Sequence, residues 1–133
     1  MSDVYVYVIA HEESGGAVGP VKVGIGANPE NRRRSLQTGN PKPIVLFAQF
    51  KAPTRKFAAY LESKFHEFFA GERLTGEWFN LTPRYAAINV VVNYYVALTI
   101  SGLVTPEEAS IVMKQSFDKC LVPFETLGQD CFE

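Results

Sequence analysis

The sequence has few of the features that support membrane insertion, secretion or disulfide bonding. No apolar run reaches the ~18 residues of a membrane span, since the most apolar stretch, 86–100, is interrupted by Asn89 and Asn93. The first residues contain no basic segment of the kind that opens a signal peptide. The two cysteines, Cys120 and Cys131, belong to no CxxC or Cys/His pattern. We therefore expect a cytoplasmic protein with reduced thiols and no membrane association.

Net charge is also small, at -1, but it is unevenly distributed along the 133 residues. Residues 20–84 hold eleven of the thirteen basic side chains and only five acidic ones, a net charge of +6. The residues before this segment sum to -3 and those after it to -4. A basic middle between acidic ends is typical of a polyanion-binding face on a nearly neutral protein. On charge alone, an uneven solvated surface explains the pattern equally well.

Hydrophobic periodicity predicts a small α/β (α+β) domain with a three-stranded antiparallel sheet flanked by helices. Residues 3–10 alternate strictly between two faces, which is typical of a half-buried strand. The other predicted elements are a loop at 12–20 that joins a hairpin, strands at 21–25 and 44–50, helices at 29–38 and 53–70, and a short extended piece at 77–81.

Two further helices are predicted beyond this module. Residues 84–100 are apolar on more than one face, and a second helix opens at Thr105 with a capping box and Pro106. From 123 onward we expect irregular chain. We therefore divide the protein into a module, 1–82, and a helical extension, 83–133. The extension either packs on the module or forms a homodimer interface.

Short motifs with chemically distinctive residues follow one another in the module. They are Tyr5-Val6-Tyr7 on the first strand, Lys22-Val23-Gly24 on the second, Arg32 on the first helix, Glu62 with His66 on the second helix, the run 32–41, and Glu77-Trp78-Phe79. In this order they resemble the GIY-YIG nuclease superfamily, and more closely a phage and microbial branch with KIG in place of YIG. The resemblance covers roughly residues 4–81. It implies a DNA endonuclease dependent on one Mg²⁺ or Mn²⁺ per site, with Glu62 as the metal ligand and Tyr5 and Tyr7 in the first motif.

The residue types also suit phosphodiester cleavage on chemical grounds. This reaction needs an activated water, a cation on the phosphate oxygens and relief of charge on the leaving oxygen. Tyr7 is a base or proton relay if neighbouring cations lower its pKa. Lys22 can share a face with Tyr7 and contact phosphate, and Arg32 can bind two phosphate oxygens at once. Without the motifs, a packing tyrosine and two solvated cations would be the commoner interpretation.

Glu62 falls beside the apolar face of its predicted helix, where a carboxylate is costly unless it is paired or binds a metal. A single carboxylate suits Mg²⁺, which keeps several waters. The alternative is an ion pair with Arg32 or Lys22. His66, one turn later, either orients Glu62, contacts the phosphate, protonates the leaving oxygen or is structural.

Further DNA contacts are expected from four polar side chains: Arg33, Arg34, Lys42 and Asn80. Three departures from the family pattern bear on activity: Lys22 replaces a tyrosine, Leu36 replaces a histidine, and Ile25 stands where some members have a further cation. The sequence therefore leaves two functions open: a metal-dependent endonuclease, or a non-cleaving DNA-binding or regulatory module of the same fold.

Overall fold

The computed structural model describes residues 3–102 and 105–108. The strands are β1 (Val4–Glu13), β2 (Gly16–Gly26) and β3 (Ile44–Ala52), and the helices are α1 (Pro29–Gln37), α2 (Arg55–Phe68) and α3 (Pro83–Ile100). Two 3₁₀ turns, Ala70–Glu72 and Thr75–Glu77, connect α2 to α3.

The three strands form one antiparallel sheet in the order β2-β1-β3. This confirms the predicted fold class. Alternation along central β1 places Val6 and Val8 in a larger core cluster with residues of α2 and α3, whereas Tyr7 and Ile9 join a smaller cluster that Leu36 of α1 covers. The two faces of the sheet are therefore covered by different helices.

The predicted hairpin connection between β1 and β2 is present, but its loop is shorter than the expected 12–20, because both strands continue into a tight turn. Glu13 pairs with Gly16, and the two turn residues, Ser14 and Gly15, have φ of 54° and 81°. Positive φ at both positions matches the twist of a two-residue hairpin turn. Backbone pairing along the hairpin thus outweighs the weak strand propensity of the Gly- and Pro-rich segment.

Helix α3 belongs to the same core as the sheet along its first half. Ala86, Ala87, Val90 and Val91 are buried in the larger cluster. On another side of the helix, exposed apolar residues recur every three to four positions; they are Tyr85, Ile88, Val92, Val96 and Ile100. We call these five residues the α3 stripe.

The start of the second predicted tail helix is visible as a capping box. The Glu108 amide donates to Thr105 Oγ1 at 3.1 Å, and the Thr105 amide donates to Glu108 Oε1 at 2.9 Å. The rest of that helix, the irregular segment from 123, Cys120 and Cys131 lie outside the described residues. Within the described ranges, no helix combines the length and apolarity needed to span a bilayer.

Candidate functional site

Tyr7 occupies the centre of the candidate site, and Gly24 makes room for its ring. The two residues are cross-strand partners in β1 and β2. A Cβ added at Gly24 would lie 2.6 Å from the Tyr7 hydroxyl oxygen and 2.8 Å from Cζ. The side chain of Tyr7 therefore lies across the Gly24 backbone, and only 4% of Tyr7 remains exposed. The glycine of the second motif thus positions the tyrosine of the first.

The condition for Tyr7 to act as a base, a pKa lowered overall by nearby cations, is not met. Burial raises the pKa above 10.0, and a hydrogen bond and the positive charge of Arg32 oppose this increase only partly. The charge of Glu62 raises it further. At neutral pH Tyr7 is therefore a neutral hydroxyl, which suits a hydrogen-bond donor or proton relay better than a general base.

Lys22 lies on β2, two residues before Gly24, and its ammonium turns towards the second 3₁₀ turn. Nζ donates to the Gly76 carbonyl at 2.8 Å and lies 5.6 Å from the centroid of the Trp78 ring. Burial lowers the pKa of Lys22, and the negative charge of Glu77 opposes this shift. An ammonium has three donors, so the contact with Gly76 leaves two for another acceptor.

Glu62 is half-buried on α2 and makes no ion pair within 4.0 Å among residues 3–102 and 105–108. The expected alternative, a salt bridge to Arg32 or Lys22, is therefore absent from this part of the chain. Burial raises the pKa of Glu62, and the charges of His66 and Arg55 oppose the rise while that of Glu77 adds to it. A carboxylate in this situation gains more from a cation than an exposed one does.

His66 contacts the outer edge of β2. Its Nε2 lies 3.0 Å from the Val23 carbonyl oxygen, and because that oxygen only accepts, Nε2 carries the proton. The ring also packs edge-on against Phe79, with centroids 5.0 Å apart. His66 thus fastens α2 to the sheet one turn beyond Glu62, which leaves only Nδ1 for any contact with substrate.

The four predicted DNA contacts occupy different environments. Arg33 is half-buried and is held by Glu30 at 2.7 Å, with a further bond of 3.4 Å to the Ile44 carbonyl, so it ties α1 to β3. Arg34 is exposed and lies 3.3 Å from Glu30.

Lys42 and Asn80 are exposed; Lys42 follows the end of α1, and Asn80 follows Phe79. Tyr5 is half-buried on the same face of β1 as Tyr7 and pairs with Gly26. The structure thus brings together five of the expected site residues: Tyr7, Lys22, Arg32, Glu62 and His66. It does not bring all of the expected DNA contacts to this group.

Two charged neighbours of the site were missed at the sequence level. Arg55 affects Glu62 electrostatically and lies seven residues before it, two helical turns along the same face of α2, a spacing that periodicity could have revealed. Glu77 acts on both Lys22 and Glu62. Its φ of 67° and that of 71° at Gly76 shape a tight turn that no sequence pattern predicted.

Fold and site together define a small α+β domain in which a buried tyrosine of the central strand lies near cations and near a carboxylate that has no ion pair among residues 3–102 and 105–108. The family model of the T5orf172 domain matches residues 4–95, more than half of the chain, and the protein belongs to this family. The T5orf172 domain is a nuclease-like, DNA-binding domain. No curated protein and no solved structure matches the chain.

The GIY-YIG assignment made from the motifs is therefore wrong, because the matching family is a different one and no GIY-YIG model matches. The reason lies in the motifs themselves. Each has only two or three residues, and two of the family's marked positions carry Lys22 and Leu36 instead of tyrosine and histidine. Because the order of strands and helix is similar, the chain resembles the GIY-YIG superfamily in its short motifs without belonging to it. The family match also continues past the expected boundary at 82 into α3.

Proposed function

We propose that this protein is a divalent-metal-dependent DNA endonuclease whose site is formed by Tyr7, Lys22, Arg32, Glu62 and His66. The observation that carries the proposal is Glu62, a half-buried carboxylate with no ion-pair partner among the described residues, next to a buried tyrosine and several cations. The nuclease-like, DNA-binding character of the family supports the same conclusion.

One Mg²⁺ or Mn²⁺ ion fits the donor set if Glu62 is its only protein ligand. No group of three or more metal-ligating side chains occurs within residues 3–102 and 105–108, so an all-protein cage is not available there. Mg²⁺ commonly binds through one or two carboxylates and completes its shell with water and substrate phosphate. When bound, such an ion polarises the phosphate and supplies an activated water.

The residues around Glu62 bind the phosphate, relay a proton and position Glu62. Arg32 is exposed and stays charged, so its guanidinium is available for two phosphate oxygens while it faces Tyr7. The two free donors of Lys22 provide a second phosphate contact. Tyr7, neutral because of burial, donates a hydrogen bond or relays a proton at its hydroxyl. His66 positions Glu62 by fastening α2 to β2.

DNA outside the scissile phosphate is expected to contact Arg34, Lys42 and Asn80, which are exposed. Arg33 is left out because Glu30 and the Ile44 carbonyl occupy its guanidinium. Contacts of this kind position the backbone without reading sequence, so we expect affinity to fall steeply with salt.

The test measures plasmid cleavage with Mg²⁺ or Mn²⁺ by the wild type and by three variants, Glu62→Gln, Glu62→Ala and Glu67→Gln. Glu67 is an exposed glutamate on the same helix, 3.4 Å from Lys64, and serves as the matched control. We expect Glu62→Gln and Glu62→Ala to lose cleavage and Glu67→Gln to retain it. Cleavage that survives both changes at Glu62 would exclude the metal role.

A second candidate is a DNA-binding module that does not cleave. The raised pKa of Tyr7 favours it, since a buried neutral phenol is a poor base. Salt-dependent DNA binding without metal-dependent products, at protein concentrations that saturate the DNA, would favour this candidate over the endonuclease.

A further inference from the structure

A cleft opens beside the proposed site, where the β1–β2 hairpin, the chain after α1 and the second 3₁₀ turn meet. Its volume is about 460 Å³, within the range of small-molecule sites. The side chains that matter here are His11, Glu12, Glu13, Asn40, Lys42 and Trp78. Apart from Lys42, none of them has a role in the proposed cleavage.

A hydrogen-bonded histidine fixes one wall of the cleft. His11 Nδ1 lies 2.8 Å from the Pro20 carbonyl oxygen, which only accepts, so Nδ1 carries the proton. Nε2 is then an acceptor for the Asn40 side-chain amide at 3.3 Å, while Asn40 Oδ1 accepts from the Lys42 amide at 3.0 Å. The imidazole is thus held between the hairpin and the chain that follows α1.

The second aromatic wall connects the cleft to the proposed site. The Trp78 ring lies 4.7 Å from the His11 ring at an interplanar angle of 42°, and Lys22 Nζ lies 5.6 Å from its centroid. Trp78 also packs against the cluster that contains Tyr7 and Ile9. The cleft and Tyr7 therefore share one face of the sheet, and Tyr7 and His11 are about 13 Å apart along β1.

We propose that this cleft binds one nucleobase of the DNA strand whose phosphate contacts Lys22 and Arg32, an inference that rests on the proposed function. The rings of His11 and Trp78 contact each other and together offer one half-buried aromatic surface, which suits the π-face of a base. The charged side chains of the cleft, Glu12, Glu13 and Lys42, sum to a net -1, which repels phosphate. Carboxylates instead accept hydrogen bonds from the amino groups of bases. Glu12 and Glu13, at the acidic end of the hairpin outside the basic segment, would thus accept hydrogen bonds from the base.

The single tryptophan of the chain makes the proposal directly measurable. The probes are two single-stranded oligodeoxynucleotides of equal length, one with all bases and one in which the central nucleotides are abasic. We expect the base-containing strand to quench the fluorescence of Trp78 and to bind at least about 5-fold more tightly, as expected for one stacked base. The abasic strand should bind with little quenching.

A cleft-narrowing variant and a matched control locate the effect. Thr75 lines the cleft and is exposed, so Thr75→Phe should reduce the preference for the base-containing strand towards 1-fold. Thr38→Phe adds the same bulk at an exposed residue outside the cleft and should keep the preference. Retention of the full preference and quenching by Thr75→Phe would overturn the proposal.

The outcomes separate this proposal from the proposed function. Equal binding and equal fluorescence with both strands would refute the base site while DNA binding stands. Base-dependent quenching without cleavage would support the base site and count against the endonuclease. If neither strand binds at low salt, the base site is refuted, and the proposed function then depends on the plasmid assay alone. Arg32→Ala should weaken both strands alike, since it removes a phosphate contact that does not depend on the base.

Discussion

Replacing Gly24 by alanine tests whether the missing side chain of Gly24 sets the position of Tyr7. The nearest atoms to an added Cβ are the Tyr7 hydroxyl oxygen at 2.6 Å and Cζ at 2.8 Å. To reach the 3.4 Å of an ordinary contact, the ring has to move by about 0.8 Å. Tyr7 is 4% exposed and packs with Ile9 and Leu46, so the displacement disturbs the smaller core cluster and the contact with Arg32.

The expected loss of stability follows from two opposing effects. Overpacking a close-fitted position costs about 1–3 kcal/mol, whereas replacing a strand glycine by alanine returns about 0.5–1 kcal/mol of backbone entropy. Gly24→Ala should therefore be destabilised by up to about 2.5 kcal/mol. Gly26→Ala places its Cβ 3.8 Å from Tyr7 Cε2, an ordinary contact, and should be neutral or slightly stabilised. The difference between the two variants isolates the steric cost.

Urea unfolding at one pH measures both variants, with Gly24→Ala also made in a Tyr7→Leu background. In the Tyr7→Leu background the loss of stability caused by Gly24→Ala should be smaller, because the ring atoms that contact the new methyl group are absent. Equal free energies of unfolding for Gly24→Ala and Gly26→Ala, or an unchanged penalty without the ring, would refute the packing argument. Cleavage should fall for Gly24→Ala while the protein is still folded, because the Tyr7 hydroxyl has moved.

Three further outcomes are expected. Burial raises the pKa of Glu62 above its ordinary 4.5, so its contribution to stability is present below pH 4.5 and is lost as pH rises through the raised value. Without metal, the melting temperature of the wild type should therefore be lower than that of Glu62→Gln at pH 7 and close to it at pH 4, and Mg²⁺ should raise the melting temperature of the wild type only. Coincident melting curves at pH 7 would contradict this. Thr54→Ala removes the cap that accepts from the Phe57 amide at 3.0 Å and should cost about 1 kcal/mol in urea unfolding, whereas Thr54→Ser should not. The sequence left open a homodimer through the helical extension; if the α3 stripe forms it, Val92→Lys should reduce the mass in light scattering to the 14.8 kDa monomer. A wild-type protein already at that mass would exclude the dimer.

Local patterns were sufficient for most of the fold. Strict alternation predicted the two faces of β1, and Asn28 before Pro29 marked the start of α1, where its side chain accepts from the Asn31 amide. The hairpin itself was predicted, but the full length of its two strands was not predictable in the same way. Its strands contain glycine and proline, which have low strand propensity, and they are held by cross-strand pairing that only the folded chain supplies.

Helical spacing placed Glu62 and His66 correctly on neighbouring turns, because that relation is fixed by the geometry of α2 alone. The electrostatics of the site depend on burial and on distant segments, and these were not visible in the sequence. Burial reverses the direction of the Tyr7 pKa shift that the base role requires. The contact between Lys22 and Gly76 joins residues 54 positions apart, a separation at which short motifs carry no information.

Edge strand β2 explains why the site forms where it does. Its outer edge would expose unpaired backbone groups, but Phe79 exchanges two hydrogen bonds with Val21, at 2.9 and 2.7 Å, and His66 bonds to Val23. The first contact brings Trp78 and the turn that holds Lys22 against the sheet, and the second holds α2 with Glu62 in place. The contacts that cover the outer edge of β2 are therefore also the contacts that position the residues of the site. A substitution that releases the chain around Phe79 should impair the phosphate contact and the base cleft together.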